Sequence, residues 1–156
     1  MIAINDYRQF IAELSAKASE NSGVTVNKVR LAVTEDQLIN LLKDQPGIVV
    51  AGNIPGSDIH NNGYFWSDGE CLIYVLEKMP EDYQGTEREF EEYARVQSLM
   101  AAIVRLLTGE DFDEFCDKGE VDRSRDIIIE WEYNRYGGFN GMSVSFRLKD
   151  RRGTGL

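Results

Sequence analysis

The chain has 156 residues, 42% of them hydrophobic and 28% charged, with three prolines, the composition of one globular domain with room for a sizeable core. Its 27 acidic residues against 17 basic ones leave a formal charge of -10, a field that opposes binding to a phosphate backbone and argues against nucleic acid as a partner. No stretch approaches the ~20 apolar residues of a membrane span, MIAINDYRQF lacks a signal-like pattern, and Cys71 and Cys116 have no CxxC spacing, so a soluble cytoplasmic protein with reduced thiols is expected.

In chain order, Tyr7, Phe10, Ile11, Leu14 and Ala18 fall on one face at helical spacing, with Asn5 or Asp6 placed as a cap, and Ser19 to Gly23 ends the helix. Val24, Val26, Val29, Leu31 and Val33 are β-branched enough for a strand, although Asn27-Lys28 interrupts them and an irregular edge or loop also fits. Thr34-Glu35-Asp36-Gln37 reads as a capping box; Leu38, Leu41 and Leu42 form the stripe of a short helix that Pro46-Gly47 terminates. Ile48 to Ala51 is an apolar run suited to a buried strand, followed by a turn-rich loop, Gly52 to Gly63. Tyr64-Phe65-Trp66 and Cys71 to Leu76 then read as a hairpin turning at Asp68-Gly69. The second arm is apolar on both faces, which predicts a central strand with a helix on one side and a second cover, such as a partner subunit, on the other.

The longest helix is predicted over about 86–108, with Thr86 as N-cap, Glu89 three residues on, an apolar stripe from Phe90 through Tyr93, Val96, Met100, Ile103 and Val104 to Leu107, and Gly109 as stop. Its first half is heavily charged, so only its second half is expected to be fully buried. Glu110 to Asp122 carries seven acids and one lysine. Ile127 to Lys149 is a hairpin whose arms each alternate with period two. If Gly137-Gly138 is its tight turn, Tyr133 faces Met142, Trp131 faces Val144, Ile129 faces Phe146 and Ile127 faces Leu148, an apolar face expected to lie under the long helix.

Chemical signatures are sparse. Asp58, His60, Asn61 and Asn62 gather metal-type ligands, but one histidine lacks the companions a zinc site needs, and turn chemistry explains the rest. No Gly-x-Ser-x-Gly elbow supplies a nucleophile for that histidine. Asp111, Asp113 and Asp117 imitate a calcium loop, yet Phe115 and Cys116 stand where an oxygen ligand and a glycine are required. Glu130 and Glu132 are spaced as a carboxylate pair could be, with Arg147 and Lys149 opposite them as ordinary charge partners. No catalytic residue, cofactor or metal is therefore assigned. Aromatic residues near turns offer an interaction surface instead: Tyr64, Phe65 and Trp66, and the hairpin tip with Tyr136, Phe139 and Met142. The basic tail, 150–156 with Arg151 and Arg152, is expected to be flexible or to meet the acidic face of another copy.

The expected architecture is a single α+β domain over residues 1–156: an antiparallel sheet of about four to six strands with the long helix and shorter N-terminal helices packed on it. That order of elements, with IIIEWEYNRYGGFNGMSVSFRL closing the chain, resembles the small tail-terminator and tail-completion proteins of tailed bacteriophages and prophages. The resemblance implies a non-enzymatic protein that assembles into a homo-oligomeric ring and resides in the cytoplasm or the virion; it transfers no site residue. The alternative is a module binding a small molecule or peptide on the sheet face or the 52–63 loop.

Overall fold

A computed structural model of the chain describes residues 1–109 and 119–150. Three helices, α1 (Ile4–Ser22), α2 (Glu35–Leu42) and α3 (Glu87–Thr108), surround seven strands: β1 (Lys28–Ala32), β2 (Ile48–Asn53), β3 (Asp58–Asn61), β4 (Phe65–Lys78), β5 (Gly119–Val121), β6 (Ile128–Arg135) and β7 (Phe139–Asp150). This is the expected α+β class with more strands than expected, since β3 and β5 are too short to show a period. The sheet runs β1-β2-β4-β7-β5, with β3 added to β4 and β6 added to β7. It is mixed: β1 lies parallel to β2 and every other pair is antiparallel.

The helices form where the apolar period dictates. On α1 the buried residues are Tyr7, Phe10, Ile11, Leu14, Ser15 and Ala18, and Gly23 closes the helix in the left-handed region at φ 72°. It starts at Ile4 with Ala3 as an N-cap that makes no side-chain bond, so Asp6, expected as a cap, falls in the first turn. For α2, Thr34 accepts a hydrogen bond from the Gln37 amide at 3.2 Å, while the Gln37 side chain accepts from Val33 at 2.8 Å. The reciprocal bond of the capping box thus lands one residue early. In α3 the second half buries Val96, Leu99, Met100, Ala102, Ile103 and Leu107. Glu89 folds back to accept from the Gly85 amide at 3.1 Å.

Two apolar layers cover the sheet. One joins α1 and α3 to Ile48, Val50, Cys71, Ile73, Val75, Val144, Phe146 and Leu148. The other joins Leu38 and Leu42 of α2 to Val49, Ala51, Tyr74, Leu76, Tyr136 and Phe139. Cys71 to Leu76 is therefore two-faced because α2 and the β6–β7 turn supply the second cover, and no partner subunit is needed there.

Two local predictions are overturned. Asp68-Gly69 is not a turn: β4 runs straight through it for 14 residues. The glycine answers to close approach, since a Cβ on Gly69 would lie 2.5 Å from the Gly56 carbonyl oxygen, and Asp68 answers to an ion pair described below. The final hairpin keeps its faces but slides by two residues, so Ile129 faces Val144 and Trp131 faces Met142. Its turn uses Tyr136, Gly137 and Gly138, all at positive φ, and a bulge at Asn134 (φ 50°) is held by a 2.7 Å bond from the Asn134 amide to the Asn140 side chain. Phe146 is core as expected, whereas Trp131 is 52% exposed because β6 is the outermost strand on that side.

Candidate interaction surface

The charged first half of α3 carries Phe90, Tyr93 and Ala94 at i, i+3 and i+4, with the polar Gln97 following at i+7, so these side chains share a helix face. That face meets Trp131 and Tyr133 on the outer strand β6, and the two elements enclose an open groove of about 410 Å³. Tyr93 is the hinge of an aromatic chain: its ring lies 5.4 Å from Trp131 and 6.3 Å from Phe90, both edge to face. Burial, reinforced by a hydrogen bond to Glu89, raises its phenol above the ordinary range. The Tyr133 hydroxyl accepts from Gln84 at 3.2 Å, tying the rim to the loop before α3.

What distinguishes this groove is exposure. Phe90, Tyr133, Trp131 and Ile129 are 65%, 64%, 52% and 43% exposed, side by side on one surface. Contiguous aromatic surface of this kind marks interaction sites on soluble proteins. The strand beneath it is an edge, paired only with β7 among the described residues, so its outer amides and carbonyls face outward.

The residues expected to form an interface divide into three groups. Tyr64 and Phe65 are exposed, at 69% and 60%, where the β3–β4 turn enters β4, and Ile59 of β3 is exposed as well. Trp66 is partly covered: His60 stacks on it at 4.2 Å and the Lys149 ammonium lies 5.4 Å from its ring centroid. Tyr136, Phe139 and Met142 are a correction, being buried within the protein's own cores, with Tyr136 edge-on to Tyr74 at 5.3 Å. Three consecutive left-handed residues fold the tip inward over α2, which period-two reasoning could not show. Arg151 and Arg152, and the calcium-like Asp111, Asp113 and Asp117, lie outside the described residues; Lys149 and Asp150 belong to β7. Trp131 and Tyr133 lie on the hairpin face expected to be core and are exposed instead, whereas Phe90 lies in the charged half of the long helix, where full burial is not expected.

The polar cluster around His60 is an ion-pair clamp. Asp68, its side chain 3% exposed, accepts from Arg147 at 2.7 and 2.8 Å and bonds His60 at 2.8 Å, while Arg147 also reaches Asp58 at 2.5 Å. The Arg147 guanidinium takes the place a cation would need between the two aspartates. No group of three metal-type ligands occurs among the described residues. The bond from Arg147 holds the Asp68 carboxyl below its usual range, opposed by burial. These contacts pin the short β3 to β4. Nor do Arg147 and Lys149 answer Glu130 and Glu132 as expected: Lys149 pairs with Asp122 at 3.3 Å, and the buried Glu132 bonds Ser143 at 2.8 Å and Arg135 at 2.7 Å. Both Glu132 oxygens are thus engaged in structure, which leaves Glu130 without a catalytic companion on that strand.

No helix among the described residues is long and apolar enough to cross a membrane. No protein-family model matches the chain, and a search of curated proteins finds no match.

Proposed function

We propose that this protein is a non-enzymatic assembly component that self-associates through the aromatic groove between α3 and β6. The observation that carries this reading is the exposure of Phe90, Trp131, Tyr133 and Ile129 together above a strand edge that has no partner among the described residues. An apolar surface of that kind is costly to leave in water, and a partner both covers the rings and completes the edge. A ring-forming tail component of a phage or prophage is the specific form we favour, because element order and the closing hairpin resemble that group.

The competing reading is a module binding a small molecule or peptide, and its small-molecule form has little room at the sheet face. Helices cover both sheet faces around Cys71 to Leu76, and the cavity beside Pro55, Gly56 and Ser57 measures about 10 Å³, room for one water. Light scattering during size-exclusion chromatography tests the assembly reading. A defined oligomer supports it, with ring-shaped particles in negative-stain images supporting the tail-component form. A monomer at every concentration up to the high micromolar range opposes self-assembly.

A further inference from the structure

A second surface, remote in the sheet order from β6, has the opposite chemistry. At the other end of the sheet β1 is paired, among the described residues, on one side only, with β2. Beyond its free edge lies a groove of about 850 Å³ between α1 and α2. Val29, Leu31 and Ile54 give it an apolar floor, and Arg8, Arg30 and Lys43 stand on its walls. No acidic residue lines it; Asp6 and Asp44, the acids nearest in sequence to Arg8 and Lys43, are not part of the wall. Nor does any of the three cations form an ion pair among the described residues. On a chain of net charge -10, three uncompensated cations around one groove are a local reversal of sign.

The backbone adds direction. The Ile54 amide donates to the Ala32 carbonyl at 2.8 Å, so Ala32, Arg30 and Lys28 turn their backbone groups to β2 and the alternation of a parallel strand turns the amides of Val29 and Leu31 to the open side. Outward amides and carbonyls call for a partner with alternating carbonyls and N–H groups, which an extended peptide has and a nucleic acid phosphate chain has not. The three cations specify that peptide's charge.

We infer that the free edge of β1 is a binding site for an acidic, extended peptide segment, which adds as a strand between α1 and α2. Its valine-sized side chains rest on Val29 and Leu31, and its carboxylates reach Arg8, Arg30 and Lys43. The site is independent of the aromatic groove.

Fluorescence anisotropy with a labelled seven-residue peptide alternating glutamate and valine tests this on the intact chain. Saturable binding is expected, weakening with salt, falling about tenfold or more in Arg8→Glu/Lys43→Glu, and lost when the central valine of the peptide is replaced by proline. Both substituted side chains are exposed on the surface, and Arg30→Gln provides a milder variant that should weaken binding in the same direction. The inference is overturned by equal binding of the lysine–valine counterpart or by binding unchanged in both variants. Tighter binding of a single-stranded oligonucleotide of equal charge would make the groove a nucleic-acid site. Self-association lost in the charge-reversed variant, without peptide binding, would assign it to a second copy of the chain.

Discussion

Replacing Gly141 by alanine probes the closest approach in the sheet. Gly141 sits in β7 opposite Leu76 of β4, and a Cβ built on it lies 1.9 Å from the Val75 carbonyl oxygen and 2.9 Å from the Val75 carbonyl carbon. To restore ordinary contact at 3.4 Å, backbone must move apart by about 1.5 Å, and the colliding atoms are not the end of a flexible side chain. A displacement of that size exceeds what a ladder hydrogen bond tolerates, so two or three bonds are lost at about 1 kcal/mol each. Displacing the well-packed β4–β7 centre adds about 1–3 kcal/mol. The expected destabilisation is about 3–6 kcal/mol, a large part of the ~5–15 kcal/mol that holds a domain of this kind together. Urea unfolding followed by circular dichroism measures it. Gly56→Ala is the control, since nothing lies within 4 Å of the added atom, and it should stay within about 0.5 kcal/mol of the parent. Gly69→Ala should fall between them, because its 2.5 Å neighbour, the Gly56 carbonyl, belongs to a surface loop that can shift. A Gly141→Ala protein as stable as the control would refute the close β4–β7 packing on which the fold account rests.

Other outcomes follow from the same contacts. Phe139→Ala, at a side chain 1% exposed beside Leu42 and Tyr74, should cost about 3–5 kcal/mol in the same assay without changing the oligomeric state. Asp68→Asn should cost about 2–3 kcal/mol by leaving Arg147 without its buried carboxylate. Because the Asp68 carboxyl titrates below its usual range, its contribution is present near neutrality and is lost as pH falls through the folded-state value, so the variant should also flatten the acid limb of the stability curve. Glu77 behaves oppositely: burial, with the neighbouring Glu92 carboxylate, pushes its pKa up to about 7. Between the ordinary carboxyl range and about 7 the folded chain holds the extra proton, so stability should fall as pH rises, by about 1–2 kcal/mol after allowing for solvent screening. Glu77→Gln should remove that slope in melts from pH 4 to 8; an unchanged slope would mean that another group causes it.

Much of the framework was legible because local signals agree with the tertiary outcome. Tyr7 to Ala18, the Thr34–Gln37 cap, Ile48 to Ala51 and the long helix ending before Gly109 each match propensity, period and burial at once. Failures occurred where a residue's reason for being there was long-range. Asp68-Gly69 has the chemistry of a turn, but Asp68 answers to Arg147, 79 positions away, and Gly69 to the backbone of Gly56. The hairpin register moved because the Asn140 side chain holds a bulge at Asn134, a contact that alternation does not encode. The interaction surface was legible only as a kind of residue. Aromatics near turns were expected at it, but which of them are covered depends on β6 being an edge and on the tip folding over α2, properties of topology and not of period.

The central claim is tested most directly by sedimentation velocity on the parent and on Phe90→Ser/Tyr133→Ser, which removes two of the most exposed rings while leaving the buried cores untouched. The account predicts an oligomeric parent and a monomeric variant whose melting temperature stays within a few degrees of the parent's. A parent that sediments as a monomer throughout, or a variant whose oligomer is undiminished, would contradict it.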